Sequence, residues 1–183
     1  FKNSDNGDFF IKGNQIREDS ENQEIRTVVQ LSNSISETFS SVEYGTVHIV
    51  NKLLGVHDLV KDGKYPYNDS THNATCTVGT ALEEAEENVL YTATIGDIQA
   101  SGLQTDYAIK GYVTYSDLNG ISRTVYTEEL VISVSDIAEK LLKVDAQDVS
   151  VKEIIENGKT SAQKKFVGNN PVTEEPAGAA LGT

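Results

Sequence analysis

Methionine and tryptophan are absent from this 183-residue chain, and cysteine occurs once, as Cys76. A lone cysteine rules out an intrachain disulfide, and without a Cys-x-x-Cys pair or a spaced Cys/His set there is no zinc signature. As a nucleophile Cys76 would need a base, yet His48, His57 and His72 carry no spacing that brings them to it. A lone cysteine of this kind reads as a small packed hydrophobe. The missing tryptophan, with only five phenylalanines, argues against a platform for stacking sugar rings. No apolar run approaches the roughly 18 residues of a membrane span. Bases are scarce too: 15 against 28 acids give a net charge of −13, which repels phosphate backbones and excludes nucleic-acid binding through a basic groove. With no methionine at position 1 and polar residues from the third onward, the chain is expected to be a processed or excised form whose signal peptide has gone.

What is present is β-strand patterning. In "EIRTVVQLSNSI" (24–35), Ile25, Thr27, Val29 and Leu31 alternate with Arg26, Val28 and Gln30, the period-two mark of a strand with one buried face. "YGTVHIVNKLLG" (44–55) holds a second strand, rich in β-branched residues, followed by a short turn or helical loop. "LYTATIGDI" (90–98) and residues 107–116 alternate in the same way, and Tyr107, Ile109, Gly111, Val113 and Tyr115 share one face. Between 107–116 and "ISRTVYT" (121–127), "SDLNG" predicts a hairpin: Asn119-Gly120 tolerates positive φ and Asp117 can close an Asx turn. The tyrosines of this hairpin then read as core framework rather than the rim of a site. After "LVISV", Ser135 is the expected N-cap of a helix with Asp136 in its first turn, Lys140 and Lys143 in its last, and Ile137, Leu141 and Leu142 on its docking face.

Other segments are less regular. "FFIKGNQIRE" (9–18) combines a short apolar run with a Gly-Asn turn signal. Residues 56–90 concentrate loop chemistry, most densely in "KDGKYPYNDSTHNAT" (61–75), while "GTALEEAEENVL" (79–90) suits a turn of helix or an acidic loop. "VSVKEIIENGK" (149–159) suits a strand or short helix, and "GNNPVTEEPAGAALGT" (168–183) has linker composition. The expected layout is an N-terminal arm (1–10), a domain (11–143) with a variable insert (56–90), and a C-terminal extension or tail (144–183). Short strands and turns predict an all-β sandwich of about seven strands with one short helix after the last hairpin and extended terminal arms.

The order of "GNQIR", "EIRTVVQLS", "YGTVHIVNKLLG", "YTATIGDIQASGLQTDYAIKGYVTYSDLNGISRTVY" and "ISVSDIAEKLL" resembles a module recurrent in large secreted and cell-surface proteins of gut and rumen Firmicutes. The resemblance spans roughly residues 11–142 and is densest over 91–126; the acidic insert 56–90 and the extension 144–183 depart from the pattern. It implies an Ig-like β-sandwich accessory domain, bacterial and extracellular, with no catalytic residues to carry over.

Few motifs point to chemistry. No phosphate-binding glycine loop, G-x-S-x-G elbow or H-E-x-x-H helix occurs. With 28 acids some close carboxylate pair is inevitable, so composition does not support a glycosidase. Glu83, Glu84, Glu86 and Glu87, with Asp58, Asp62 and Asp69, offer oxygen ligands of the kind Ca²⁺ uses, but the D-x-[DN]-x-[DN]-G loop is missing; no cofactor is expected. Asn68-Asp-Ser and Asn73-Ala-Thr are glycosylation sequons and mark an exposed loop. The expectation is a non-catalytic structural module that spaces, adheres or self-assembles at the cell surface, with itself or a neighbouring surface module as partner. Docking would run through a terminal arm, with Pro171, Val172 and Leu181 as the candidate assembly tail. The alternatives are a carbohydrate-binding accessory module, with Tyr65, Tyr67 and Asn68 as the ligand-contact loop and a glycan as partner, and a phage or appendage decoration protein.

Overall fold

Alternation at period two becomes pairing across strands in the structure, a computed structural model that describes residues 9–19, 22–84, 88–144 and 165–168. The chain runs β1 (Phe9–Asp19), β2 (Asn22–Ser32), α1 (Ser34–Thr38), β3 (Ser40–Val50) and α2 (Asn51–Leu54). Next come β4 (Lys64–Tyr67), β5 (Ser70–Asn73), β6 (Thr75–Val78), β7 (Thr80–Glu84) and β8 (Asn88–Ile98). After a 3₁₀ turn at Ala100–Gly102 follow β9 (Tyr107–Ser116), β10 (Ser122–Tyr126), β11 (Leu130–Ile132), α3 (Val134–Val144) and β12 (Lys165–Gly168). One sheet has the order β12-β1-β2-β8-β7; the other has the order β10-β9-β3-β6, with β11 also on β9; β4 and β5 form a separate hairpin. The pairings are antiparallel. The fold is an all-β sandwich.

Its core lies between the two large sheets. Ile25, Val29 and Leu31 of β2 and Tyr91 and Ile95 of β8 pack in one cluster with Ile109, Val113 and Tyr115 of β9. Tyr91 is fully buried and stacks on Tyr44 with ring centroids 4.6 Å apart. Its hydroxyl donates to the Gly45 carbonyl at 2.8 Å, so this polar tip is satisfied inside the core. A fully buried side chain of this size contributes roughly 3 kcal/mol through burial. Val134, Ile137, Ala138 and Leu141 of α3 join the same cluster.

The predicted strands at 46–50, 90–98 and 107–116 and the 117–120 turn are found, the turn with the Asn119 and Ile121 N–H groups donating to Asp117 Oδ1; the alternating stretch 24–35 is a strand as far as Ser32 and then turns helical in α1. Four expectations change. Residues 13–14 form no turn: β1 is continuous, with a bulge between Ile11 and Gly13, because Asn14 is buried beside Thr27, whose hydroxyl donates to its Oδ1 at 3.0 Å. Phe9 and Phe10 belong to β1 rather than to an arm, and Phe9 is wholly buried. The helix is capped by Ser133, not Ser135: Ser133 Oγ accepts from the Asp136 N–H and Asp136 Oδ2 from the Ser133 N–H, a reciprocal capping box.

The fourth change is the largest. The insert read as loop carries four strands, which take the count past seven. In β4–β5, Asn68 and Asp69 both have positive φ, 46° and 61°, and link strands whose register closes at Tyr67 and Ser70. Loop-forming residues thus make a two-residue hairpin turn. β6 pairs with β3 in one sheet and β7 with β8 in the other, so the chain changes sheets at Gly79. The Gly79 N–H donates to the Tyr44 carbonyl at 2.8 Å, and a Cβ there would lie 2.6 Å from the Tyr91 ring. Only glycine fits between this crossing and the tyrosine stack. In "TALEE", pairing with β8 and contact of Leu82 with Val28 override local helix propensity. Residues 1–8 and 149–159 lie outside the described residues.

Candidate functional site

Strands β3 and β9 have a second covered face. Odd-numbered Val47 and Ile49 and even-numbered Ala108 turn away from the main core and meet Leu54, Leu59 and Tyr65, making a smaller apolar cluster beneath the insert. Around it lies a network of charged and aromatic groups. Tyr112 of β9 donates its hydroxyl to Glu43 Oε1 at 2.8 Å, and Lys61 of the insert reaches the same oxygen at 3.1 Å. The Lys61 ammonium also stands 4.8 Å from the Tyr112 ring centroid. One strand over, the Lys61 backbone N–H donates to the Tyr126 hydroxyl at 2.8 Å. Lys110 pairs with Asp58 at 2.7 Å and lies 5.5 Å from the Tyr126 ring centroid.

These contacts set the protonation states. The hydrogen bond from Tyr112, then that from Lys61, holds the Glu43 carboxyl below its ordinary pKa. Burial, reinforced by the Glu43 charge, pushes the Tyr112 hydroxyl up. At Lys61 burial works downward, but the Glu43 hydrogen bond and charge outweigh it and the ammonium is favoured. The network is therefore a carboxylate, a neutral phenol and an ammonium at neutral pH. Cys76 is exposed on β6 rather than packed as a small hydrophobe, yet its neighbours desolvate the sulfur enough to push the thiol up against the pull of Lys61.

Between the insert and the β9–β10 surface opens a cleft of about 810 Å³, with residues 55–58 on one wall and Lys110 with residues 124–129 on the other. His57 lines this cleft and Cys76 does not. The other two histidines stand elsewhere: His48 against Tyr107 at 6.3 Å, and His72 against Tyr67 at 6.3 Å. Burial lowers the pKa of His48 to about 4, and its Nδ1 is buried without a hydrogen-bond partner. Among the described residues no group of three or more His, Cys, Asp or Glu side chains is placed to hold a metal ion. Of the acidic cluster, Glu86 and Glu87 fall outside the described residues.

The expected ligand-contact loop divides. Tyr65 is not available to a ligand: its ring is 4 % exposed, and its hydroxyl donates to the Asp58 carbonyl at 2.8 Å and accepts from the Val60 N–H at 2.9 Å. It staples the insert to itself because an apolar ring with one polar tip suits the small cluster beneath. Tyr67 and Asn68 are exposed at the β4–β5 turn. The sequons at Asn68 and Asn73 are exposed as well. Pro171, Val172 and Leu181 lie outside the described residues.

Sequence reasoning missed Glu43, Asp58, Lys61, Lys110, Tyr112 and Tyr126 as a set. Lys110 and Tyr112 occupy the face of the 107–116 strand opposite its apolar face, and only in the structure is that face seen to be largely covered as well. In comparisons with known proteins, no family model, curated protein or solved structure matches the chain.

Proposed function

We propose that the chain is a non-catalytic extracellular module of a bacterial surface structure, one that spaces its neighbours and assembles with them. The observation that carries this is the use made of the polar groups over the second sheet. Glu43, Lys61, Tyr112, Lys110, Asp58 and Tyr126 bond to one another and fasten the insert to strands β3, β9 and β10. Polar groups arranged in this way stiffen a scaffold. The resemblance of 11–142 to surface modules and the net charge of −13 support the extracellular setting.

Sedimentation velocity from micromolar to millimolar protein tests the assembly. The intact chain should self-associate, whereas a chain ending at Val144 and a full-length Val167→Pro variant should remain monomeric. If all three sediment alike throughout, the assembly reading fails. The open cleft favours a second reading, carbohydrate binding, since Asp58, Thr124, Glu128 and Glu129 line it with groups that bond hydroxyls. Glycan-array binding lost in both Tyr126→Ala and Asp58→Ala, but kept in Tyr67→Ala, would select it; an empty array would remove it.

A further inference from the structure

Helix α3 ends at Val144 and β12 begins at Lys165, so 20 residues, 145–164, lie between the two in sequence. By contrast β6 and β7 are parted by Gly79 alone. Four register pairs join β12 to β1: Gly13 with Gly168, Asn14 with Val167, Gln15 with Phe166 and Ile16 with Lys165. β12 is the edge of its sheet, and without it the edge would be β1, eleven residues long. Charge singles out the same segment. Residues 157–173 hold three lysines, Lys159, Lys164 and Lys165, and no acid. The remainder of the chain holds all 28 acids and 12 bases (15 less 3).

We propose that the β1 edge is a strand-exchange site, and that its alternative occupant is β12 of a second copy of this chain, paired antiparallel in the same register. This deepens the assembly reading above and rests on it. A strand exchanged between copies makes the same main-chain bonds as within one copy, and needs no pocket that the closed form lacks. A connection of 20 residues can extend about 70 Å, well beyond the roughly 37 Å of an eleven-residue strand. The basic segment is drawn to the acidic body of either copy. Closure within one chain competes through an effective concentration on the order of millimolar. Free copies therefore exchange near that concentration, and copies anchored side by side reach it locally.

Cysteines at the facing positions 13 and 168, in a Cys76→Ser background, test this. The chain carrying both Gly13→Cys and Gly168→Cys should form an internal disulfide on mild oxidation. An equimolar mixture of the two single variants, incubated at millimolar protein and then oxidised, should give a covalent heterodimer. Its yield should exceed the homodimers of either variant several-fold, by denaturing gel and mass spectrometry, and should fall at micromolar protein. A double variant that bridges beside a mixture that gives no excess heterodimer overturns the exchange. The assembly reading would then stand or fall on sedimentation alone. A double variant that does not bridge overturns the seat of β12 on β1, and the proposal with it.

Discussion

On its inner face the β3–β9 pair presents Tyr44, Ile109, Val113 and Tyr115 to the opposite sheet; on its outer face the same two strands present Glu43, Val47, Ala108, Lys110 and Tyr112 to the insert. The inner contacts are ring stacks and aliphatic packing, as between Tyr44 and Tyr91 and between Phe39 and Tyr115. The outer contacts are a small apolar cluster ringed by charged hydrogen bonds, several of them partly exposed: Asp58 retains 79 % of its side-chain exposure and Glu43 46 %. One pair of strands thus carries a face held by burial, which charge screening does not weaken, and a face held partly by charge, which screening and single polar substitutions loosen. The inner face is expected to set global stability and the outer face the attachment of the insert.

Four experiments sharpen or break this contrast. The largest effect is expected for Tyr91→Ala, which empties the centre of the inner core and leaves Gly45's carbonyl without its donor; it should cost about 4 kcal/mol in urea unfolding. A loss below about 1 kcal/mol would mean that the inner face does not dominate. Next comes the inner-face imidazole. His48 has a folded pKa of about 4, against about 6.5 when unfolded. The unfolded chain therefore binds the proton first, and stability is lost as pH falls from about 6.5 through 4, by about 3 kcal/mol once both states are protonated. His48→Leu should remove that part of the pH dependence, so parallel stability–pH curves for the two proteins would contradict the assignment.

A smaller, local effect is expected on the outer face. Tyr112→Phe deletes the hydroxyl donor to Glu43 and should cost about 1 kcal/mol, since the acceptor keeps Lys61 and some solvent. Amide exchange should quicken across residues 56–73 and stay unchanged in β2 and β8; uniform acceleration would show that the two faces unfold as one. The smallest effect belongs to Asp58→Asn. Its ion pair with Lys110 is largely solvated, and the change should be within about 0.5 kcal/mol and vanish at 1 M salt. A cost above about 2 kcal/mol would reveal an outer face as dependent on charge as the inner one is on burial.

Which features could be read in advance follows the same division. Alternation exposes a strand whose faces differ, and β2, β8 and β9 were legible because Val29 and Leu31, Tyr91, Ala93 and Ile95, and Val113 and Tyr115 recur at every second residue on one face. The 117–120 hairpin was legible because its turn is closed by residues within five positions of one another. β7 was not: alanine, leucine and glutamate carry helical preference, and pairing with β8 prevails over it. The Lys61–Glu43–Tyr112 site was equally hidden, its members lying 18 and 69 positions apart in sequence.

Composition and period-two patterning by themselves determined an acidic, all-β domain with no disulfide inside the chain, because net charge, cysteine count and alternation are local sums that no packing alters. Only the tertiary structure decided that an insert of glycine, proline and asparagine would cover the second sheet, that the chain would change sheets at Gly79, that Tyr65 would be a buried staple, and that β12 would seat on β1. Each of these depends on which distant backbone is free to pair and which buried surface still needs cover. Those two conditions exist only once the strands stand side by side.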